Sequence, residues 1–172
     1  TSCFVVKVSG LIGGHSGMEI DKGRGNSNRI LGRVLNRLDE EIKFCLGYIE
    51  GGSKSNAIPR YSYANIVVGK EDKDDVIKIV NDMNEIIRKE LSTSDSGLII
   101  SIEEIENLKV AFSKKDKNKI IAALILIPNG IQTMSQDIKG LVESSNNLGV
   151  VKTLENEVTI ECAMRSSVGS LK

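Results

Sequence analysis

The sequence has few of the residues that build metal centres and disulfide frameworks. Its 172 residues include one histidine, His15, and three widely spaced cysteines, Cys3, Cys45 and Cys162. One imidazole cannot form a histidine-rich metal site, and an odd number of cysteines without a C-x-x-C pair is atypical of a disulfide framework or a structural zinc site. We therefore expect buried, reduced thiols and no metal ligands in this chain.

The chain also lacks an excess of charge of either sign and a long apolar segment. Lys plus Arg and Asp plus Glu number 23 each, so the formal net charge is zero and nucleic acid is not an expected partner. The longest strongly apolar run, residues 120–127, is too short to cross a bilayer, and no basic-then-apolar leader opens the chain. These features predict a cytoplasmic protein that does not associate with membranes.

What is present is the composition of one folded domain, with 40% hydrophobic and 27% charged residues. The chain begins at Thr1 rather than Met, which we interpret as the sign of processing or of a piece taken from a longer protein. Six glycines between residues 9 and 28 predict a long loop in which the backbone approaches another group closely.

Apolar patterning over residues 1–106 predicts the element order β-α-β-β-α-β, the ferredoxin-like arrangement of the α+β class. Asn26 or Ser27 is expected to cap the first helix, whose apolar stripe runs on to Cys45 and ends at Gly47. The second helix is predicted from Asp72 to Leu91. The strands are predicted at residues 3–8, 46–52, 61–69 and 98–102.

Residues 107–172 are predicted to form a second lobe of the same domain. The pattern indicates a charged loop at residues 114–119 and a short apolar helix at residues 120–127 that stops at Pro128. Turns at Asn146-Asn147 and at residues 155–157 then predict a three-stranded antiparallel meander. The expected architecture is a two-layer α+β sandwich whose sheet is continued by the second lobe.

Three side chains are candidates for chemistry. His15 lies in Gly13-Gly14-His15-Ser16-Gly17, where glycines would let a substrate approach an imidazole that exchanges protons near neutral pH. Asn56 could offer a donor and an acceptor to a peptide-like ligand, and Arg165 could bind a carboxylate through two parallel hydrogen bonds. Each also has an ordinary structural interpretation, as a loop histidine, a turn asparagine and a solvated arginine at a strand end.

Other site types are disfavoured by the sequence. No G-x-S-x-G elbow, G-x-G-x-x-G loop or G-K-[ST] motif is present, which argues against a serine hydrolase, a dehydrogenase and a kinase. Two acidic groups, residues 72–75 and 103–106, lack the D-x-[DN]-x-[DN]-G loop of a calcium site. We interpret them as helix-capping and solvated charges.

Taken together and in order, the motifs resemble a known lid domain. They are Gly-Gly-His-Ser-Gly at 13–17, Gly-Arg-Gly-Asn at 23–26, Gly-Gly-x-x-x-Asn-x-Ile-Pro at 51–59, Gly-Leu-Val-Glu-Ser-Ser-Asn-Asn-Leu-Gly at 140–149 and Met-Arg-Ser-Ser at 164–167. This series is similar to the lid, or dimerisation, domain of the dinuclear zinc exopeptidases, the family of the aminoacyl-histidine dipeptidases, carnosinase and carboxypeptidase G. The resemblance covers nearly the whole chain.

The resemblance implies a division of labour between two domains. A catalytic domain, absent from this chain, would hold two divalent metal ions, with zinc expected, and the lid would contact the dipeptide and contribute to a homodimer. By the same resemblance, His15 stabilises the oxyanion, Asn56 helps to bind the substrate and Arg165 pairs with its terminal carboxylate. The chain alone is then expected to be inactive.

Two other functions are compatible with the residues taken singly. A non-catalytic dimerisation or binding module of ferredoxin-like fold would use the sheet edge or a helix face for association. A small-molecule sensor domain would share the fold but would give no reason for His15, Asn56 and Arg165 to converge on one cleft. Convergence of His15, Asn56 and Arg165 on one cleft in the fold would therefore count against the sensor domain.

Overall fold

The computed structural model describes residues 1–106 and 108–172 as an α+β sandwich. The helices are α1 (Ser27–Glu41), α2 (Lys73–Glu90) and α3 (Lys114–Leu126), and short 3-10 turns lie at Ile20–Lys22 and Gly169–Leu171. The strands are β1 (Ser2–Ser9), β2 (Gly14–His15), β3 (Phe44–Gly51), β4 (Ala57–Ile58), β5 (Ser62–Val68), β6 (Ile99–Ile105), β7 (Gly130–Met134), β8 (Val142–Thr153) and β9 (Val158–Ser166).

The main sheet confirms the predicted ferredoxin-like order. Strands β6, β1, β5 and β3 lie side by side, and every neighbouring pair is antiparallel. The sheet continues through β8 to β7, and β9 pairs along the other edge of β8, from Ser144 to Thr153. The ladder between β3 and β8 pairs Glu50 with Lys152 and Gly51 with Val151, and the Thr153 hydroxyl adds hydrogen bonds to the backbone of Ile49. The sheet ladder between the two lobes is therefore short.

The core forms where the apolar stripes of the helices meet one face of this sheet. Strand β1 buries Phe4, Val6 and Val8 on that face, at the two-residue spacing of a pleated strand. Helix α1 lies against them and carries α3 on its other side, where a Cβ on Gly32 would come within 2.6 Å of the Leu124 Cβ. This close helix contact is the reason for a glycine inside α1.

The first helix ends earlier than the sequence pattern predicts. Helix α1 stops at Glu41, Ile42 is already extended, and Cys45 and Gly47 belong to β3. Phe44, Leu46 and Ile49 bury their side chains on the core face of that strand, and the helical spacing of Ile42 and Cys45 was therefore misleading. Gly47 lies at an irregularity of the β3–β5 register instead of closing a helix.

The predicted loop at residues 114–119 is the first half of α3. The Ser113 hydroxyl accepts a hydrogen bond of 3.1 Å from the Asp116 N–H and so caps the helix. Lys117 is buried despite its charge because it pairs with Asp39, donates to the Phe44 carbonyl at 3.2 Å and lies over the Phe44 ring. The charged residues of this segment predict a loop, but the segment belongs to a helix that packs against α1.

The predicted turn at Asn146-Asn147 is wrong, and β8 runs straight through both residues. A three-stranded antiparallel arrangement does exist, but its first strand is β7 at Gly130–Met134 instead of residues 141–145. The turn at residues 155–157 is confirmed, since it joins β8 to β9. The asparagines stay in the strand because their side chains have partners in neighbouring segments.

Three smaller expectations can also be compared with the structure. All three cysteines are free, but only Cys3 is buried, since Cys162 is half-buried and Cys45 is exposed. The predicted boundary between the lobes falls at residue 107, which lies outside the described residues. In the described part of the chain, no helix combines the length and the hydropathy needed to span a bilayer.

Asp95 forms hydrogen bonds with both ends of the glycine-rich loop that follows β1. This carboxylate is 1% exposed and accepts hydrogen bonds of 3.0 Å from the backbone N–H groups of Ile12 and Gly25. Next to it, a Cβ on Gly10 would lie 2.0 Å from the Gly97 carbonyl oxygen, and Gly10 has a positive φ of 77°. The loop is therefore fixed to the segment between α2 and β6.

Replacing Asp95 with alanine is expected to destabilise the domain by about 2 to 3 kcal/mol, because the buried Gly25 N–H and the partly buried Ile12 N–H lose their carboxylate acceptor. Urea unfolding of the variant measures this change. Glu85→Ala, at an exposed site of α2, is the matched control and should shift stability by less than about 0.5 kcal/mol. Equal effects of the two substitutions would show that Asp95 does not anchor the loop.

Candidate functional site

The two-stranded ladder of β2 and β4 brings the first two candidate residues together. His15 is opposite Ala57 and Gly14 is opposite Ile58. The Ser16 N–H also donates to the Asn56 carbonyl at 2.9 Å. His15 and Asn56 are 41 positions apart in the sequence, yet this ladder makes their segments neighbours.

The hydrogen bonds around His15 determine which ring nitrogen carries its proton. Nδ1 accepts from the Gly17 N–H at 3.1 Å and from the Met18 N–H at 3.0 Å. A nitrogen that accepts two hydrogen bonds is unprotonated, so the neutral ring carries its proton on Nε2. The half-buried imidazole therefore presents one N–H donor away from its own loop.

A carboxylate and a guanidinium brace the same turn. Glu19 accepts from the His15 backbone N–H at 2.7 Å and from Arg24 at 2.8 Å, and Arg24 also donates to the Gly13 carbonyl at 2.6 Å. The His15 N–H, followed by the Arg24 guanidinium, lowers the pKa of the Glu19 carboxyl below its usual range. The turn around His15 is thus closed by an ionised pair at neutral pH.

The loop that carries Asn56 packs against β8 at very short range. A Cβ on Gly52 would lie 1.9 Å from the Gly149 carbonyl oxygen, and Gly52 has a positive φ of 75°. A Cβ on Gly149 would in turn lie 2.6 Å from the Ser55 Cα. Asn56 itself is exposed, and it joins the loop through its backbone carbonyl, which leaves the side-chain amide at the surface.

Arg165 approaches the same turn from the other lobe. It lies on β9 opposite Ser145 of β8, and its Cζ would be 2.9 Å from a Cβ on Gly17. The guanidinium therefore rests against the backbone of Gly17, two residues after His15. No carboxylate among the described residues lies within ion-pairing distance of it.

All three candidate residues thus converge on residues 15–17. His15 belongs to this segment, Asn56 is hydrogen-bonded to it and Arg165 packs on it. Two open clefts border the β2–β4 ladder, and His15, Asn56 and Arg165 line neither of them. One has a volume of about 550 Å³ and is lined by Gly14, Ser53 and Tyr61, and the other has about 320 Å³ and is lined by Arg24, Asn26 and Asn147.

The described residues do not form a metal site. No three His, Cys, Asp or Glu side chains among residues 1–106 and 108–172 come together in a cluster suited to a metal ion. The arrangement around His15 offers instead a neutral N–H donor, an amide and a guanidinium. Such groups recognise carbonyl oxygens and carboxylates, as a peptide end would present them.

Sequence reasoning missed several residues that support this site. Glu19 and Arg24 brace the His15 turn, Asp95 anchors the loop, and Asn147 donates to the loop of Asn56. Asn147 left a readable signal, because it ends a run of four polar residues, Ser144 to Asn147, within a strand whose apolar run follows them. The structure confirms Asn26 as the cap of α1, through the hydrogen bond that it accepts from the Arg29 N–H.

Comparison with known proteins gives two close relatives for nearly the whole chain. The chain is 41% identical over 170 residues to the "Cytosol non-specific dipeptidase" of Escherichia coli (strain K12), covering 98% of this chain and 35% of that protein. The crystal structure of aminoacylhistidine dipeptidase from Vibrio alginolyticus superimposes with a TM-score of 0.95 at 36% identity, covering 98% of this chain and 34% of that one. The chain thus spans about a third of the length of these relatives.

A family model also matches residues 6–95, which include the second half of β1, strands β2 to β5, α1, α2 and the turn that carries His15. Its description is the peptidase dimerisation domain, and the match extends over more than half of the chain. On this match, the chain belongs to the M20 peptidase dimerisation domain family.

Proposed function

We propose that this chain is the substrate-contacting lid of a metal-dependent dipeptidase. The observation that supports this function most strongly is the convergence of His15, Asn56 and Arg165 on residues 15–17. The two close relatives, which are named as dipeptidases, support the same substrate class. A sensor domain or a purely structural domain gives no reason for these three polar groups to share one turn.

In this proposal, the Nε2–H of His15 donates a hydrogen bond to the carbonyl oxygen of the peptide bond that is cleaved. Negative charge grows on that oxygen as the tetrahedral intermediate forms, and a donor aimed at it in advance lowers the barrier. The two hydrogen bonds accepted by Nδ1 support this role, because they keep the proton on Nε2 and fix the plane of the ring. One such donor contributes about 3 to 4 kcal/mol.

Arg165 binds the free carboxylate at the end of the substrate. A guanidinium matches a carboxylate in two parallel hydrogen bonds, and the Arg165 fork has no carboxylate partner among the described residues. Because its position against Gly17 is set relative to His15, the distance from the cleaved bond to the chain end is limited. The exposed amide of Asn56 contacts the backbone of the short peptide between them.

The metal ions belong to a catalytic domain outside this chain. The described residues offer no cluster suited to them, so the lid contributes binding and charge stabilisation only. We propose two divalent ions, with zinc as the expected metal, and a cytoplasmic location, in accord with the word "cytosol" in the name of the relative from Escherichia coli. On its own, this chain has no hydrolytic activity.

Substitutions at His15 separate its donor from its role in the turn. The asparagine side chain can replace Nδ1 as an acceptor but does not reach the position of Nε2, whereas glutamine does. His15→Asn in the full-length protein should lower kcat for a dipeptide about 100-fold or more, and His15→Gln should lose less. Steady-state kinetics measures both, and a kcat near the parent value in His15→Asn would make His15 a structural residue.

Arg165→Ala should lower kcat/KM for a dipeptide by a factor that corresponds to about 2 to 5 kcal/mol of lost binding, because one partner of a charge pair is removed. The matched substrate is the same dipeptide with its carboxylate converted to an amide, for which the variant and the parent should have similar kcat/KM values. Arg165→Lys keeps the charge but loses the forked guanidinium, and its kcat/KM for the dipeptide should lie between those of the parent and Arg165→Ala. An equal loss on both substrates would show that Arg165 does not bind the carboxylate.

A second function is favoured by the family description, which is that of a dimerisation domain. We propose that the chain also contributes to a homodimer of the full-length protein. Light scattering across a concentration series should give twice the mass of one polypeptide down to low micromolar concentration. A single-polypeptide mass over the whole range, together with full activity, would contradict this part of the proposal.

A further inference from the structure

Asn147 lies where the three proposed site residues are joined. It is 1% exposed, in the middle of β8. Its side-chain amide donates to the Ser55 carbonyl at 2.7 Å and to the Ala57 carbonyl at 2.8 Å. These two carbonyls are on either side of Asn56, so one amide group holds the peptide segment that carries it.

The orientation of this amide is determined by its surroundings. Two carbonyl oxygens on one side require both hydrogens of the NH₂ group. On the other side, the Oδ1 of Asn147 lies 3.5 Å from the Nδ2 of Asn26, which also donates to the Leu148 carbonyl at 3.0 Å. Asn26 caps α1, and the clamp on the Asn56 loop is therefore connected to the start of that helix.

The clamped segment in turn holds the His15 turn. Ala57 is the β4 residue opposite His15, and the Asn56 carbonyl accepts from the Ser16 N–H. A displacement of residues 55–57 would therefore be passed directly to residues 15 and 16. The His15 ring would move with its backbone, because Nδ1 is bound to the N–H groups of Gly17 and Met18.

The same strand sets the position of Arg165. Asn147 is opposite Ala163 on β9, and Arg165 is opposite Ser145, so two residue steps separate the clamp from the guanidinium along the ladder. Strand β8 therefore supports Arg165 through its pairing with β9, and it supports Asn56 and His15 through the Asn147 side chain.

On this geometry, we propose that Asn147 is a positioning residue, which fixes the distance between the His15 donor and Arg165 by clamping the loop of Asn56. This inference rests on the proposed function for its catalytic consequence. Asparagine suits the position because it supplies two donors to two carbonyls. Alanine supplies none, and the isosteric aspartate would bring a charge against two carbonyl oxygens.

The neighbouring residue provides a matched control. Asn146 lies on the same strand, is 8% exposed, and its amide donates to the Pro128 carbonyl at 2.6 Å. Its partner Pro128 belongs to the segment between α3 and β7, for which the described residues show no hydrogen bond to residues 14–18 or 55–57. Asn146→Ala therefore removes a similar buried hydrogen bond from β8 without touching the clamp.

Hydrogen exchange read by mass spectrometry on the full-length protein tests the clamp without reference to activity. Asn147→Ala should raise the exchange rates of peptides that cover residues 14–18 and 54–58 by about 10-fold or more, because local opening becomes easier. Asn146→Ala should leave these peptides within about twofold of the parent. Equal protection of both segments in the two variants would overturn the inference.

Kinetics tests the catalytic consequence. Asn147→Ala should lower kcat for a dipeptide about 10- to 100-fold per folded molecule, the scale of a small misplacement in a site, and Asn146→Ala should change it less than twofold. In a His15→Asn background, Asn147→Ala should lower kcat by a clearly smaller factor than it does in the parent, because its effect acts through His15. Additive losses would overturn the positioning role.

The hydrogen-exchange and kinetic experiments together distinguish a failure of this inference from a failure of the proposed function. If the parent protein hydrolyses no dipeptide, the proposed function is wrong, and the exchange comparison alone decides whether Asn147 clamps the loop. If the parent is active and the exchange rates change as expected while kcat does not, the clamp exists but does not position the site, and the inference is wrong.

Discussion

The site depends on one constraint, which is that strand β8 runs unbroken through two buried asparagines. An amide buried in a sheet costs free energy unless its hydrogen bonds are made. Asn147 makes them with the carbonyls of Ser55 and Ala57, and Asn146 makes one with the Pro128 carbonyl. The two Asn147 bonds hold the loop of Asn56 against β8, whereas the ladder between β3 and β8 in the main sheet is short.

Much of the fold could be predicted because burial has a simple period in the sequence. Alternating apolar residues in β1 and the stripe of α2 lead directly to the ferredoxin-like order, which the structure confirms. The errors occur where tertiary contacts override local pattern. Cys45 continues a helical spacing but lies in a strand, and Lys117 suggested a solvated loop but is buried beside Asp39. The contacts that decide these two cases come from segments distant in the sequence, so a local pattern cannot predict them.

The sequence proposes His15, Asn56 and Arg165 as site residues through its resemblance to a lid domain, but it does not indicate how their segments contact one another. Nothing in the sequence indicates that the Ser16 N–H bonds to the Asn56 carbonyl, or that Arg165 packs on Gly17. Both contacts join segments far apart in the chain. Asparagine favours turns, so the adjacent asparagines predict a turn, whereas in the structure their side chains donate hydrogen bonds to the backbone of other segments.

A crystal structure of the full-length protein with a bound dipeptide analogue tests the central claim most directly, because the claim concerns one ligand held by three residues. The account predicts the ligand carboxylate within hydrogen-bonding distance of the Arg165 guanidinium and the oxygen of the cleaved bond within the same distance of the His15 Nε2, with Asn147 still donating to the Ser55 and Ala57 carbonyls. A ligand that contacts neither His15 nor Arg165 would contradict it.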